Sequence, residues 1–331
     1  MRRFAIIACC LGLAAGGVLA GCGDDEESGS NAPAEGGGGK TEKVTFRLNW
    51  VIAGNHAPFY LAKERGFWED CGLDVQMAAG KGSSDTAQLV ATGSQDFGLT
   101  DAVSIYAGRS QGLPIKSLGV VYQSNPSSFV SKKEEGITSV DKIAGKTWGA
   151  VPGGSPYLLA QALIEETGAK PGKVSNVPAP GIAQLKTGQV DFITFFGNEA
   201  ANIDPDPEAN LNVAYFKDAG QDIYGLTLGA SDDYVAGHPK QVECFREGVR
   251  KGFEAAEADP DAALAALKAA VPATGSNPDV QRALLDGAFE YTGDDLLAET
   301  AERWDATGKV LRDAGLAKQD VPASDIMSSA Q

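Results

Sequence analysis

The chain carries one short motif twice, as "TGSQDF" at residues 92–97 and "TGQVDF" at residues 187–192. In the longer copies, "QLVATGSQDFGLT" and "QLKTGQVDFITF", a helical pattern stops at a glycine and an aspartate opens an apolar strand. Chance similarity over so short a stretch is the alternative. Two lobes built on the same plan explain the repeat better.

The segments around both copies alternate between strand and helix patterns, which is typical of a mostly parallel sheet with helices on its faces. From Pro239 onward the spacing is almost entirely helical. A first helix is expected to start near Pro58 and to end at Gly72. We expect strands at residues 43–50, 73–78, 96–100, 115–123, 146–151, 173–179, 190–196, 210–216 and 221–231.

The first 22 residues are typical of a bacterial lipoprotein signal peptide. Two arginines precede an apolar run, which ends in "LAGC" at Cys22, the cysteine expected to carry the lipid. A single membrane anchor is the alternative, but the run is short for a span and acidic residues follow it directly. Residues 23–42 are charged and glycine-rich, which predicts a flexible linker.

Composition excludes several kinds of function. A formal charge of −16 with no basic cluster argues against a nucleic-acid partner. Only two histidines occur, and the hydrolase and metal-site motifs G-x-S-x-G, H-E-x-x-H and C-x-x-C are absent, so we expect no metal and no cofactor. Cys71 and Cys244 remain after the signal peptide and Cys22 are set aside. They form either a disulfide or two unpaired thiols.

Two glycine-rich helix starts are candidates for a ligand site. They fall at equivalent places in the two predicted lobes, and each offers free backbone N–H groups and hydroxyls at a sheet edge. Ordinary loop chemistry is the alternative for either segment alone. The candidate residues are Ser83 and Ser84 in the first lobe, and Gly153, Gly154 and Ser155 in the second.

Further candidates follow the predicted strands or stand at the corner before the first helix. A carboxylate among aromatic residues is costly unless a partner satisfies it, and either a ligand amine or a lysine or arginine could do so. Trp50 and Tyr224 could equally be core residues. The candidates are Asn49, Trp50, His56, Asp101, Tyr122, Phe196, Asn198, Glu199 and Tyr224.

From about residue 43 to 316 the chain resembles the periplasmic-type binding proteins of ABC importers for nitrate, sulfonates, taurine and thiamine precursors. The most specific segments are "LNWVIAGNHAPFYLAKERGFWEDCGLDV", "GSSDTAQLVATGSQDFGLTDA", "GITSVDKIAGKTWGA" and "VDFITFFGNEA". The resemblance implies a type II two-lobed fold with two hinge crossovers. We place lobe 1 at residues 43–130 and lobe 2 at 131–220, with a return to lobe 1 and C-terminal helices at 221–331.

The resemblance also implies a small-molecule ligand, permease subunits as partners, a monomer, and a cleft lined by Asn49, Trp50 and His56. Together with the predicted signal peptide, it leads us to expect a lipid-anchored protein outside the cytoplasm, on the outer face of the membrane. For His56, capping of the helix near Pro58 is the alternative. Asp101 and Glu199 favour a nitrogen heterocycle, such as a thiamine-precursor pyrimidine, over an oxyanion; a sulfonate, taurine or nitrate is the alternative.

The same family branch includes a pyrimidine synthase of thiamine biosynthesis. Its cofactor lysine and nearby histidine would fall on Thr100 and Ser104, and its cysteine cluster would fall near "QDIYGLTLG", which contains no cysteine. We therefore expect the protein not to be an enzyme.

Overall fold

The computed structural model describes residues 41–152 and 154–328. The predicted signal peptide with Cys22, nearly all of the predicted linker, and Gly153 lie outside the described residues. The strands are β1 (Glu42–Arg47), β2 (Leu73–Ala78), β3 (Phe97–Asp101), β4 (Ile115–Val120), β5 (Ser127–Lys132), β6 (Thr147–Ala150), β7 (Lys173–Asn176), β8 (Phe192–Phe196), β9 (Leu211–Tyr215) and β10 (Leu226–Ser231).

The helices lie between these strands in the first two thirds of the chain and follow one another directly after β10. They are α1 (Ala57–Glu64), α2 (Ser83–Ala91), α3 (Ala102–Arg109), α4 (Ser155–Thr167), α5 (Ile182–Lys186), α6 (Pro207–Asn210), α7 (Asp232–Gly237), α8 (Pro239–Ala258), α9 (Pro260–Ala270), α10 (Pro278–Thr292), α11 (Ala301–Asp313) and α12 (Ala323–Ile326).

The strands form two five-stranded sheets, one in each lobe. Their orders are β2-β1-β3-β10-β4 and β7-β6-β8-β5-β9. In the first sheet only β10 runs against its neighbours, and in the second only β5 does. Each antiparallel strand is the first one that the chain forms after crossing between lobes. The predicted fold class, two lobes with mostly parallel sheets flanked by helices, is confirmed.

The repeated motif has the same role in both lobes. The Asp96 carboxylate accepts hydrogen bonds from the Thr45 N–H at 2.7 Å and from its hydroxyl at 2.8 Å. In the second lobe the Asp191 carboxylate accepts from the Thr147 N–H at 2.6 Å. Each aspartate therefore ties the start of one strand to its parallel neighbour, β3 to β1 and β8 to β6.

Two crossovers join the lobes, at residues 121–126 and 216–225, and they run side by side. The Gly225 N–H donates to the Tyr122 carbonyl at 2.9 Å. A Cβ at position 225 would lie 2.7 Å from the Ser124 carbonyl oxygen and 2.8 Å from the Tyr122 Cβ. Only glycine allows the two hinge segments to approach this closely.

Strand β5 is absent from the sequence prediction, and the predicted boundary after residue 130 falls inside it. Its serines are buried, and the Ser128 hydroxyl donates to the Phe195 carbonyl at 3.1 Å. Small polar residues that bond to the backbone can therefore fill this strand, and no apolar alternation marks it.

The first helix is shorter than predicted, because α1 ends at Glu64 and the following Gly66 has a φ of +71°. Cys71 lies in a separate short turn and is joined by a disulfide to Cys244 in α8, with 5.8 Å between the Cα atoms. The disulfide ties the C-terminal helices to the first lobe, where α8 and α9 also pack on α1.

Helix α10 contacts both lobes. It packs against the short 3-10 segments Gly54–His56 of lobe 1 and Gly197–Asn202 of lobe 2. Within residues 41–152 and 154–328, no helix is both long enough and apolar enough to span a membrane.

Candidate functional site

A cleft opens between the carboxyl ends of the parallel strands of both sheets. Its volume is about 700 Å³, including the solvent space at its open mouth. Eight of the predicted site residues line it: Asn49, Trp50, Ser83 and Asp101 from lobe 1, and Gly154, Ser155, Phe196 and Glu199 from lobe 2.

At the corner between β1 and α1, a buried histidine positions an asparagine. His56 Nδ1 accepts from the Ala53 N–H at 3.2 Å, so Nε2 carries the proton and donates to Asn49 Oδ1 at 2.9 Å. Burial lowers the pKa of His56 to about 4, which keeps the ring neutral. His56 itself does not line the cleft and its ring does not cap α1. It leaves the Asn49 amide N–H groups as donors for the cleft.

Asp101 lies at the end of β3 and is 1% exposed. Its Oδ1 accepts from the Ser104 N–H at 2.7 Å, which caps α3. Its Oδ2 is buried and has no hydrogen-bond partner among the described residues. Burial raises the pKa of this carboxyl, while the Ser104 N–H and the hydroxyls of Ser83, Ser104 and Ser155 oppose the rise.

Glu199 lies on the opposite wall and is also buried. Its Oε1 accepts from Asn55 Nδ2 at 2.9 Å, a hydrogen bond from lobe 1 to lobe 2. Burial raises the pKa of Glu199 to about 7. The same burial, together with the nearby Glu199 charge, raises the pKa of Tyr122, which lies behind the lining residues. Asn55 thus acts at this site, although the sequence analysis did not include it among the candidates.

Besides His56, four candidates do not line the cleft, namely Ser84, Tyr122, Asn198 and Tyr224, and Gly153 lies outside the described residues. Tyr122 and Asn198 are not part of the cleft lining. Asn198 Nδ2 donates to the Gly287 carbonyl of α10 at 3.0 Å. Ser84 pairs with the Ser104 hydroxyl at 3.2 Å. We correct the expected position of Tyr224: its ring packs on Trp304, and its hydroxyl accepts from the Thr300 N–H at 3.0 Å. Its side chain therefore belongs to the packing of the C-terminal helices.

Several lining residues were missed by the sequence analysis. The most informative is Thr194, a polar residue inside the apolar strand β8, whose buried Oγ1 has no partner among the described residues. That break in the apolar run was the available signal. The others include Lys81, an exposed cation, and Val151, Tyr157, Ala179 and Pro180, which show no sequence pattern that predicts a cleft.

The cleft thus combines aromatic walls with polar atoms that lack partners. Asp101 Oδ2, Ser155 Oγ and Thr194 Oγ1 are buried, come from both lobes, and make no hydrogen bond of ordinary geometry to a described residue, although the Ser155 hydroxyl lies near enough to the Asp101 carboxyl to lower its pKa. In the part of the chain that the structure describes, no three His, Cys, Asp or Glu side chains are grouped closely enough to hold a metal ion. The arrangement suits an organic ligand with hydrogen-bonding groups.

Comparison with solved structures confirms the architecture. The structure of the alkanesulfonate-binding protein SsuA from Xanthomonas axonopodis pv. citri, bound to MOPS, matches with a TM-score of 0.67 at 13% identity. The match covers 86% of this chain and 98% of that chain. The fold is therefore the two-lobed periplasmic-binding-protein fold that the sequence predicted.

The relatives that match the chain by sequence include both an enzyme and a binding protein. A 4-amino-5-hydroxymethyl-2-methylpyrimidine phosphate synthase from Uromyces fabae is 23% identical over 85% of each chain. The riboflavin-binding protein RibY from Chloroflexus aurantiacus is 25% identical over 86% of this chain and 84% of its own. The expectation that the protein is not an enzyme is wrong on this comparison, because a named enzyme matches over nearly the whole fold.

A family model places these similarities in one group. The model described as NMT1/THI5 like matches residues 53–263, more than half of the chain, and includes the His56 corner, both copies of the repeated motif and both carboxyl groups of the cleft. The resemblance to binding proteins for sulfonates and thiamine precursors is confirmed by this match together with the SsuA-type fold. The chain belongs to the NMT1/THI5-like family.

Proposed function

We propose that the protein captures a small nitrogen heterocycle, such as a thiamine-precursor pyrimidine, between its lobes and delivers it to an ABC permease. One observation carries the proposal: three buried polar atoms without described partners, Asp101 Oδ2, Ser155 Oγ and Thr194 Oγ1, line one cleft. Each unsatisfied buried group costs about 1–3 kcal/mol. A ligand that pairs with these atoms lowers that cost.

The remaining lining of the cleft supports a flat, hydrogen-bonding ligand. Trp50 and Phe196 offer ring faces from opposite lobes, and Asn49 offers amide donors. Glu199 adds an acceptor from lobe 2. The names of the relatives agree with this chemistry, since one is a synthase of a substituted pyrimidine phosphate and another is a riboflavin-binding protein. A sulfonate or another oxyanion is the alternative ligand class, with Lys81 as the cation in the cleft lining.

The N-terminal sequence supports a place of action outside the cytoplasm. We propose that Cys22 carries a lipid and that residues 23–42 tether the domain to the outer face of the membrane. The variant Cys22→Ala should then be recovered in the soluble fraction. Retention on membranes after a salt wash would contradict the lipid anchor.

The experiment uses the chain from residue 23 onward, purified with no ligand added. Thermal unfolding is followed with 4-amino-5-hydroxymethyl-2-methylpyrimidine, riboflavin and taurine, and mass spectrometry identifies any small molecule that the protein carries from the cell. Ligand at a hundredfold excess over Kd should add about 2.7 kcal/mol to the free energy of unfolding. The absence of any shift and of any carried molecule would overturn the proposal.

A second candidate function is synthesis of a pyrimidine phosphate, which is favoured by the Uromyces fabae relative. Assaying the same protein for formation of that product distinguishes the two. Saturable binding without product supports capture, whereas product formation supports the second candidate.

A further inference from the structure

Three helices begin around one carboxyl group. Asp101 is the N-cap residue of α3, while Ser83 is the first residue of α2 and Ser155 is the first residue of α4. Ser83, Asp101 and Ser155 line the same cleft, and the Ser83 and Ser155 hydroxyls lower the pKa of the Asp101 carboxyl. The first turns of helices from both lobes therefore meet at Asp101.

Hydrogen bonds fix this meeting point within lobe 1. The Ser104 N–H donates to Asp101 Oδ1 at 2.7 Å, and the Thr100 hydroxyl donates to the Ser83 carbonyl at 2.9 Å. The hydroxyls of Ser84 and Ser104 pair at 3.2 Å and join the first turns of α2 and α3. Asp101 is held in place by its surroundings and does not need a ligand to order it.

The first turn of a helix carries free N–H groups and a partial positive charge, so it attracts anions. Three such turns around one point would form a strong site for a sulfonate, sulfate or phosphate group. In this chain a carboxylate from the protein already stands there. Asp101 lines the cleft, and its buried Oδ2 has no hydrogen-bond partner among the described residues, so it can accept a hydrogen bond from a ligand.

We propose that Asp101 determines the ligand class of the cleft. It takes the place that an oxyanion would occupy among the three helix starts, and it presents Oδ2 to a ligand that donates an N–H. The Ser155 and Thr194 hydroxyls then meet the neighbouring polar atoms of that ligand. This inference rests on the proposed function, since it states which ligands the same cleft accepts and rejects.

The competing explanation is that Asp101 only caps α3. Asparagine and serine are also good N-cap residues, so the variants Asp101→Asn and Asp101→Ser should keep the helix and remove the charge. Serine is also smaller than aspartate, so Asp101→Ser leaves space for an anion at the position of the carboxylate. A matched control is Asp259→Ser, because Asp259 is the exposed N-cap of α9 and accepts from the Ala262 N–H at 3.0 Å.

Isothermal calorimetry at constant ionic strength tests the proposal with two probes, 4-amino-5-hydroxymethyl-2-methylpyrimidine and methanesulfonate. Both Asp101 variants should bind the pyrimidine at least roughly tenfold more weakly, as loss of a charge-assisted hydrogen bond implies. Asp101→Ser should gain methanesulfonate binding that the unaltered protein and Asp259→Ser lack. Circular dichroism confirms that each variant is folded.

Two results would overturn the inference: unchanged pyrimidine affinity in both Asp101 variants, or methanesulfonate binding by the unaltered protein as tight as by Asp101→Ser. Failure of the proposed function looks different. In that case the unaltered protein binds no pyrimidine, while the methanesulfonate comparison still decides whether Asp101 blocks an anion site.

Discussion

Glu199 shows how a single residue can make this fold sensitive to pH. It is buried in the cleft wall, and burial raises its pKa from the usual 4.5 to about 7. Between about pH 4.5 and 7 the unfolded chain releases this proton while the folded protein keeps it. Rising pH therefore lowers the free energy of unfolding across that window, and the loss is complete above it.

The variant Glu199→Gln keeps an acceptor for Asn55 and removes the titration. Its free energy of unfolding relative to the unaltered protein should increase from about pH 4.5 to 7 and then level off. Urea unfolding at several pH values measures this difference, in which the other titrating groups cancel. Glu134→Gln, at an exposed position, is the control for the loss of one carboxylate. A constant difference for Glu199→Gln would show that this carboxyl titrates normally in the folded protein.

At the scale of elements, α10 depends on a glycine at its contact with lobe 2. A Cβ at Gly287 would lie 2.5 Å from the Asn198 carbonyl oxygen, which is backbone and cannot turn away. Alanine normally stabilises a helix interior by about 1 kcal/mol over glycine. Here we expect Gly287→Ala to lower the free energy of unfolding by about 1–3 kcal/mol, as overpacking does.

The control for this change is Gly237→Ala in α7, where an added Cβ meets nothing within 4 Å. Denaturant unfolding of both variants measures the comparison. If Gly287→Ala and Gly237→Ala have equal free energies of unfolding, α10 can shift without cost and does not fix the two lobes relative to each other.

The disulfide acts between elements that are far apart in the sequence. Cys71 and Cys244 are separated by 173 residues, so their bond restricts a long loop of the unfolded chain. The chain-entropy model assigns such a crosslink up to roughly 5 kcal/mol. The double variant Cys71→Ser/Cys244→Ser should lose several kcal/mol of unfolding free energy in urea. Labelling of unfolded, unreduced protein should find no reactive thiol at either position, and two thiols would contradict the bond.

At the scale of the whole molecule, the Asn55–Glu199 hydrogen bond connects the lobes across the cleft at 2.9 Å. Asn55→Ala removes it, and we expect the unliganded protein to populate a more open arrangement with a larger radius of gyration in small-angle X-ray scattering. Ligand affinity should fall as well, because closure then costs more.

A matched control is Asn210→Ala. Asn210 Nδ2 donates to Asp204 Oδ1 at the same 2.9 Å, but this hydrogen bond is exposed and lies within lobe 2. Asn210→Ala should leave the radius of gyration of the unliganded protein unchanged. If Asn55→Ala also leaves it unchanged, this bond does not hold the cleft closed.

The sequence by itself determined the two-lobed plan. The repeated T-G-x-x-D-F motif encodes a local arrangement, a helix stop followed by a strand whose aspartate bonds to the neighbouring strand. The sequence also predicted that residues at the ends of strands or at the starts of helices, such as Asn49, Asp101 and Ser155, lie at the cleft, and they line it in the structure. Chain direction alone brings the carboxyl ends of parallel strands to one edge of the sheet.

Tertiary structure decided whatever depends on contacts between distant residues. Strand β5 has no apolar alternation because three of its buried positions are serines, and the Ser128 hydroxyl bonds to the backbone of β8. Tyr224 turns away from the cleft because its hydroxyl finds the Thr300 N–H, 76 residues further along the chain. Asn55 reaches Glu199 across 144 residues. Sequence periodicity reports which residues are buried locally, but not which partner each buried polar group finds, and those partners form the site.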